Sequence, residues 1–138
     1  MNPLTETRFS QEQERTYEEG EIIFPEGDSG RELYIIQEGS VEILKDTPKG
    51  TLKLAQFYKG DFFGEMALLQ SLPRYASARA KGKTKLLILQ PGGFLLKIRR
   101  DPTLAFEMLQ QLSFRLKSSN ERLIESLQKG EMLHDHRD

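Results

Sequence analysis

In "GEMALLQSLPRYA", residues 64–76, Glu65 and Arg74 place a carboxylate and a guanidinium on either side of an apolar patch, Met66-Ala67-Leu68-Leu69. Two full charges beside core-like residues have two uses. They pair with each other, as an exposed salt bridge worth about 0–1 kcal/mol, or they hold something that is not protein. The local sequence argues for the second. Gly64 lets the backbone approach a neighbour closely. The helix formers after it predict a short helix starting near Glu65, whose first amides lack partners. Such an end attracts anions through free N–H groups and the helix dipole. The planar fork of Arg74 suits a phosphate. Glu65 cannot hold a phosphate, because like charges repel, but it can accept a hydrogen bond from a hydroxyl. A ligand carrying both a phosphate and a sugar hydroxyl, as a nucleotide does, satisfies both groups.

These residues need a scaffold. Glycines punctuate the first two-thirds of the chain, and between them lie "EIIF", "LYIIQEG", "SVEILK", "TLKLAQF", "SARAK" and "KLLILQ". Short β-rich segments at such spacing predict a sandwich or barrel. Val41 and Ile43 alternate with Glu42, and Leu52 and Leu54 with Lys53, giving each strand one wet face. The short turns favour antiparallel pairing, since parallel crossovers need a dozen or more residues. After "PGGF" the pattern becomes helical. Asp101-Pro102 is a helix start, and Leu109, Leu112, Leu116, Leu123 and Leu127 form a seam that ends at Gly130. A helix of about 25 residues is about 38 Å long. Its second half therefore packs on another copy of the chain, or else folds back along its own β-domain. "FSQEQERTYEEG" near the N-terminus allows a short helix.

Composition sets outer limits. The chain has 138 residues, a formal net charge of -1 and no cysteine. One domain is the natural count. Nothing indicates nucleic acid, which calls for a basic excess, and disulfides and thiolate metal sites are excluded. The polar N-terminus lacks a signal-peptide core, and no apolar run approaches the roughly 18 residues of a spanning helix. A cytoplasmic protein without membrane contact is expected.

The sequence "GDFFGEMALLQSLPRYASARA" resembles the phosphate-binding cassette of the cyclic nucleotide-binding domain family. That family includes catabolite activators, regulatory subunits of the cyclic-AMP-dependent kinase and nucleotide-gated channels. "GEIIFPEGDSGRELYIIQEGSVEI" is similar to its first strands, and "FLLKIRRDPTLAFEMLQQLSFRL" to its entry into the C-terminal helix. The resemblance, over about residues 18–128, implies a mainly β fold with C-terminal α-helices: an antiparallel, jelly-roll-like β-roll (a double-stranded β-helix) plus a long helix. It divides the single domain into an arm at 1–19, a β-roll at 20–99 with its cassette at 62–78, and a helical region at 100–130. It implies a cyclic phosphate held by Arg74 and by backbone amides near Met66, Ala67, Tyr75 and Ala76. Glu65 would take the ribose 2′-hydroxyl, with the Gly64 backbone beside it. Ser119 and Asn120 would touch the purine, or else fix register on a dimer seam. Tyr75 stands where guanine-selective relatives carry threonine or serine, which favours cyclic AMP over cyclic GMP as ligand.

Other signals are set aside. "GKT" at residues 82–84 lacks the earlier glycine of a P-loop and reads as a turn in a hairpin. Arg79, Lys81, Lys83 and Lys85 form either a basic contact stripe or a solvated strand face guarded against edge pairing. His134 and His136, on a polar tail without a third ligand, make no metal site. No nucleophile–base–orienter set is visible, so neither catalysis nor a cofactor is expected. The expected function is a cyclic nucleotide sensor that signals by repositioning its C-terminal helix in a homodimer, through a downstream protein still to be identified. No DNA-binding domain is expected in this chain. The rival readings are a nucleotide-independent dimerisation scaffold and a fragment of a transcription regulator.

Overall fold

The computed structural model describes residues 12–135, with side chains through Gly130. The chain divides into two compact units, Met1–Arg100 and Asp101–Asp138. Among the described residues, the first holds strands β1 (Glu12–Tyr17), β2 (Ile22–Phe24), β3 (Leu33–Thr47), β4 (Gly50–Tyr58), β5 (Phe62–Phe63) and β6 (Ser77–Leu89), with helices α1 (Glu65–Gln70) and α2 (Pro91–Arg100). The second is one helix, α3 (Pro102–Asp135). Every strand pair is antiparallel, so the fold is the mainly β one with C-terminal helices that the sequence predicts.

Two long strands organise the sheet. The order is β1-β6-β3-β4, with β2 also on β6 and β5 on β3. Inward residues from five of these strands, namely Tyr17, Phe24, Tyr34, Ile36, Val41, Phe63, Ala78, Ala80 and Leu86, make the core. Alanines at positions 78 and 80 leave room for the aromatic side chains. The rings of Tyr34 and Phe63 stack at 5.1 Å, and Phe24 is tilted against both.

The long strands bend where they pair. Register shifts flank Glu38 on β3, and Gly39 sits there at φ 86°. Thr84, fully buried, donates its hydroxyl to Ser40 O at 2.9 Å across this bend. A Cβ on Gly39 would lie 2.5 Å from Lys83 O and 2.9 Å from Thr84 Cα. Only glycine fits so close an approach at that φ.

Several expectations change. Residues 12–17 are a strand, not a helix, because β6 offers them a pairing edge from Thr84 to Leu89; Phe9–Gln11 lie outside the described residues. "GKT" is not a hairpin turn. It runs inside β6, with Gly82 at φ 74°. The basic stripe therefore lies on a strand with neighbours on both sides, where it needs no guard against edge pairing. Arg79 and Lys81 both pair with Glu42, at 2.9 and 3.6 Å, and Lys85 pairs with Glu14 at 3.6 Å. Those contacts favour the solvated face over the contact stripe. Leu52 does not turn inward: it is 56% exposed, on the arm that β3 and β4 extend beyond the core. A register shift after Ile43 leaves Leu54 as an extra residue on that arm.

The helices also differ in extent. The helical pattern expected after "PGGF" starts earlier, with α2 at Pro91 despite two glycines in its first turn; Gly93 and Phe94 are buried. In the second unit, Asp101 caps α3 as expected, accepting from the Thr103 amide at 3.2 Å. The helix does not end at Gly130 but continues to Asp135, 34 residues in all. One glycine costs about 1 kcal/mol in a helix interior, too little to end one this long. No helix among the described residues is long and apolar enough to cross a membrane.

Candidate functional site

The site grows from the segment between β5 and β6. Gly64 leaves β5 at φ 85° and caps α1, a six-residue helix that closes at Ser71, also left-handed, with the Ser71 amide on Ala67 O at 3.1 Å. Ala67 and Leu68 point inward and anchor the helix, while Met66 and Leu69 stay exposed. Gly64 is glycine for two reasons. Its φ suits no other residue well, and a Cβ there would stand 2.8 Å from Arg74 Nη1 and 3.1 Å from Glu32 O. Gly64→Ala is accordingly expected to push the guanidinium out of place and to weaken ligand binding at least about tenfold. Calorimetric titration of a variant that still gives a native circular dichroism spectrum measures this.

Arg74 is the centre of the site. Its side chain is 2% exposed, which is costly for a charge unless it is paired and hydrogen-bonded. Glu32 meets most of that need, accepting from Nη2 through its backbone oxygen at 2.9 Å and its Oε2 at 3.0 Å. Gly64 O accepts from Nη1 at 3.0 Å. The guanidinium lies 4.2 Å above the Phe24 ring and 5.6 Å from that of Tyr34, a favourable cation–π setting. The same apolar surroundings push the Tyr34 phenol well above its ordinary range, desolvation being the main cause. The Arg74 backbone is clamped too: its amide donates to Asp28 O at 2.8 Å, and its carbonyl accepts from the Gly27 amide at 2.7 Å. One nitrogen stays over. Arg74 Nε is buried and has no hydrogen-bond partner among the described residues.

The choice between a Glu65–Arg74 pair and a ligand is thereby recast. The ion pair found for Arg74 is with Glu32, a residue the motif reading did not single out. Its only sequence signal was an acid next to a turn and a strand, a signal that many surface acids share. Glu65 is half-buried at the first position of α1. It begins the helix whose first amides lack intrahelical partners, directly after the glycine that touches Arg74.

Tyr75 turns away from the core and is 57% exposed. Lys45, on the β3 arm, donates to Tyr75 O at 2.8 Å and sits 4.2 Å above its ring. Glu26 completes the strap, pairing with Lys45 at 3.1 Å and accepting from the Asp46 amide at 3.2 Å. Those two donors hold its carboxyl below the usual range, the Asp46 amide being the larger cause. Ala76 is buried, and Ser77 Oγ accepts from the Glu26 amide at 2.8 Å. Lys45 and Glu26 were likewise not singled out from sequence. Ser119 and Asn120 lie on α3, in the second unit, and both are exposed. No cluster of three metal-binding side chains occurs among the described residues; the side chains of His134 and His136 lie outside them.

A profile described as "Cyclic nucleotide-binding domain" matches residues 14–101. The Cyclic AMP receptor protein of Thermus thermophilus is 38% identical over 109 residues, which cover 78% of this chain and 50% of that protein. A cAMP-dependent protein kinase regulatory subunit from Blastocladiella emersonii is 41% identical over 70 residues, 50% of this chain and 17% of that protein. The crystal structure of the Thermus thermophilus Catabolite Activator Protein superposes with a TM-score of 0.72 at 35% identity, covering 89% of this chain and 59% of that one. A cyclic nucleotide-binding domain from Methylobacillus flagellatus gives 0.73 at 28% identity, covering 85% and 68%. These neighbours share the β-roll. The chain spans half or less of the two curated relatives.

Proposed function

The chain belongs to the cyclic nucleotide-binding domain family, a regulatory rather than catalytic family, and from that premise we propose that it is a cyclic AMP sensor. The observation that carries the reading is Arg74: a buried guanidinium, held from several sides, with its Nε unpartnered. A protein has little reason to bury a charge so thoroughly and leave a donor over, unless an anion completes the set. In this reading the cyclic phosphate takes Arg74 together with amides near Met66, Ala67, Tyr75 and Ala76. Glu65 accepts the ribose 2′-hydroxyl beside the Gly64 backbone, and Ser119 and Asn120 serve the purine. Titration calorimetry of the whole chain with cyclic AMP and cyclic GMP tests it. Micromolar or tighter binding, stronger for cyclic AMP, is expected; no heat with either nucleotide would leave a dimerisation scaffold as the function.

Signalling is assigned to α3. Exposed leucines at 109, 116 and 123 recur every seven residues, and Leu127 extends the row. A seven-residue repeat is the pattern of a helix that pairs with its like, so the proposed assembly is a homodimer. Ligand contacts that differ between two positions of α3 would shift their populations, and only that difference in affinity can do so. Leu116→Glu with Leu123→Glu is expected to give a folded monomer in sedimentation at micromolar concentration, where the parent chain is a dimer. An unchanged mass would remove α3 as the interface.

A further inference from the structure

We propose that Glu32 makes the Arg74 site selective for a singly charged phosphodiester over a doubly charged phosphate monoester. The inference rests on Arg74 being the phosphate ligand, and it concerns what kind of phosphate that residue accepts.

The argument begins with the five N–H groups of a guanidinium. Both of those on Nη2 are taken by Glu32, one by its backbone oxygen and one by Oε2. One on Nη1 is taken by Gly64 O. Nε and the second Nη1 donor remain. A two-pronged grip on an anion uses either the Nε–Nη2 side of the fork or its Nη1–Nη2 end. Both edges include Nη2, so any bidentate phosphate must share that nitrogen with the Glu32 carboxylate. The incoming oxygen and Glu32 Oε2 then face each other across one donor.

Glu32 is held at this place chiefly by Arg74 itself. Gln90 Nε2 lies 3.5 Å from its other oxygen, and its backbone is engaged by Arg74. Asp28 adds to the negative field. A Cβ built on Gly30 would lie 2.6 Å from Glu32 Oε2, 2.9 Å from Asp28 Oδ2 and 3.5 Å from Arg74 Nη2, so both carboxylates crowd the same end of the guanidinium. Glu65 begins α1 directly after Gly64. Arg31 is exposed, where solvent and salt screen its charge. One buried cation is thus already paired with a carboxylate, Glu32, before any ligand arrives.

The ligand's charge then matters. A phosphate monoester loses its second proton near pH 6 and carries close to two charges at neutral pH. A diester has only one proton to lose. Coulomb repulsion scales with ligand charge, so the same carboxylate opposes a monoester about twice as strongly as a diester. Glu32 therefore acts as a positioning residue for Arg74 and as a charge filter on what Arg74 accepts. The products of phosphodiester hydrolysis are monoesters, which makes the filter useful to a sensor that must release its signal.

The test compares three ligands by competition against a fluorescent cyclic AMP analogue on the full chain. They are cyclic AMP, adenosine 5′-monophosphate, and the methyl ester of adenosine 5′-monophosphate, which has an open ring but only one charge. The methyl ester is expected to bind several-fold more tightly than the monophosphate. In Glu32→Gln, removing one charge is expected to tighten the diesters about threefold and the monophosphate about tenfold, so that the gap narrows. A purely structural Glu32 would weaken all three alike and leave their ratios unchanged, overturning the proposal. So would a methyl ester no better than the monophosphate in the parent protein, or failure of both open-ring ligands to compete, since ring closure would then be the discriminator. The parent-protein comparison stands even if Glu32→Gln fails to fold. Failure of cyclic AMP itself to bind would overturn the sensor reading, and this inference with it, and is distinguishable from those outcomes.

Discussion

Arg74→Leu is expected to lower affinity for cyclic AMP at least about a hundredfold, because two charge-assisted hydrogen bonds at about 1.5–3 kcal/mol each disappear together. The fold should survive. Leucine is compatible with the faces of Phe24 and Tyr34, against which the guanidinium now lies. Glu32, 27% exposed, can turn its freed carboxylate to water instead of staying buried without a partner. The Arg74 backbone bonds to Gly27 and Asp28 do not depend on the side chain. Arg74→Lys separates charge from shape. It keeps the cation and loses the planar fork, so its affinity should fall between the two. Calorimetric titration, with circular dichroism to check the fold, reads all three proteins. Undiminished binding by a folded Arg74→Leu would remove this residue from the site and leave it a core ion-pair partner of Glu32.

The largest effect on stability is expected at Gly39. Alanine there must hold a left-handed backbone, at roughly 1–2 kcal/mol. It must also place its Cβ 2.5 Å from Lys83 O, 2.6 Å from Thr84 Oγ1 and 2.9 Å from Thr84 Cα. Two of these atoms are backbone in the partner strand, so the clash is relieved only by parting β3 from β6. A loss of about 3 kcal/mol or more follows, lowering the melting temperature by roughly 10 °C. Gly20→Ala is the control, since its φ of 80° is similar and nothing lies within 4 Å of its added Cβ. It should cost only the backbone term. Equal melting temperatures for the two variants would show that the sheet yields at the bend and that close packing there is unimportant.

Much of the site could be read in the sequence because its chemistry is local. Gly64, Glu65 and Arg74 lie within eleven residues, and their types at that spacing already pointed to a phosphate and a hydroxyl. The Asp101-Pro102 helix start was equally legible, since capping involves only the next few amides. What escaped notice was distant. Glu32 is 42 positions from Arg74, and the Lys45–Tyr75 contact spans 30. No pattern along the chain announces such partners.

The same division holds for the fold. By itself the sequence determined that this is an antiparallel β-domain with a helical C-terminus, because period-two patterning, glycine turns and caps act over a few residues. Tertiary structure alone decided that residues 12–17 become a strand, that Gly82 lies within β6, and that a helix starts at Pro91, ahead of its two glycines. In each case the intrinsic preference was weak, about 1 kcal/mol or less per residue, and pairing or burial against a distant segment outweighed it. Arg74 met the same fate: a residue of free choice in the sequence, it was committed by the fold to Glu32, because a buried charge must find an opposite one wherever the chain brings it near.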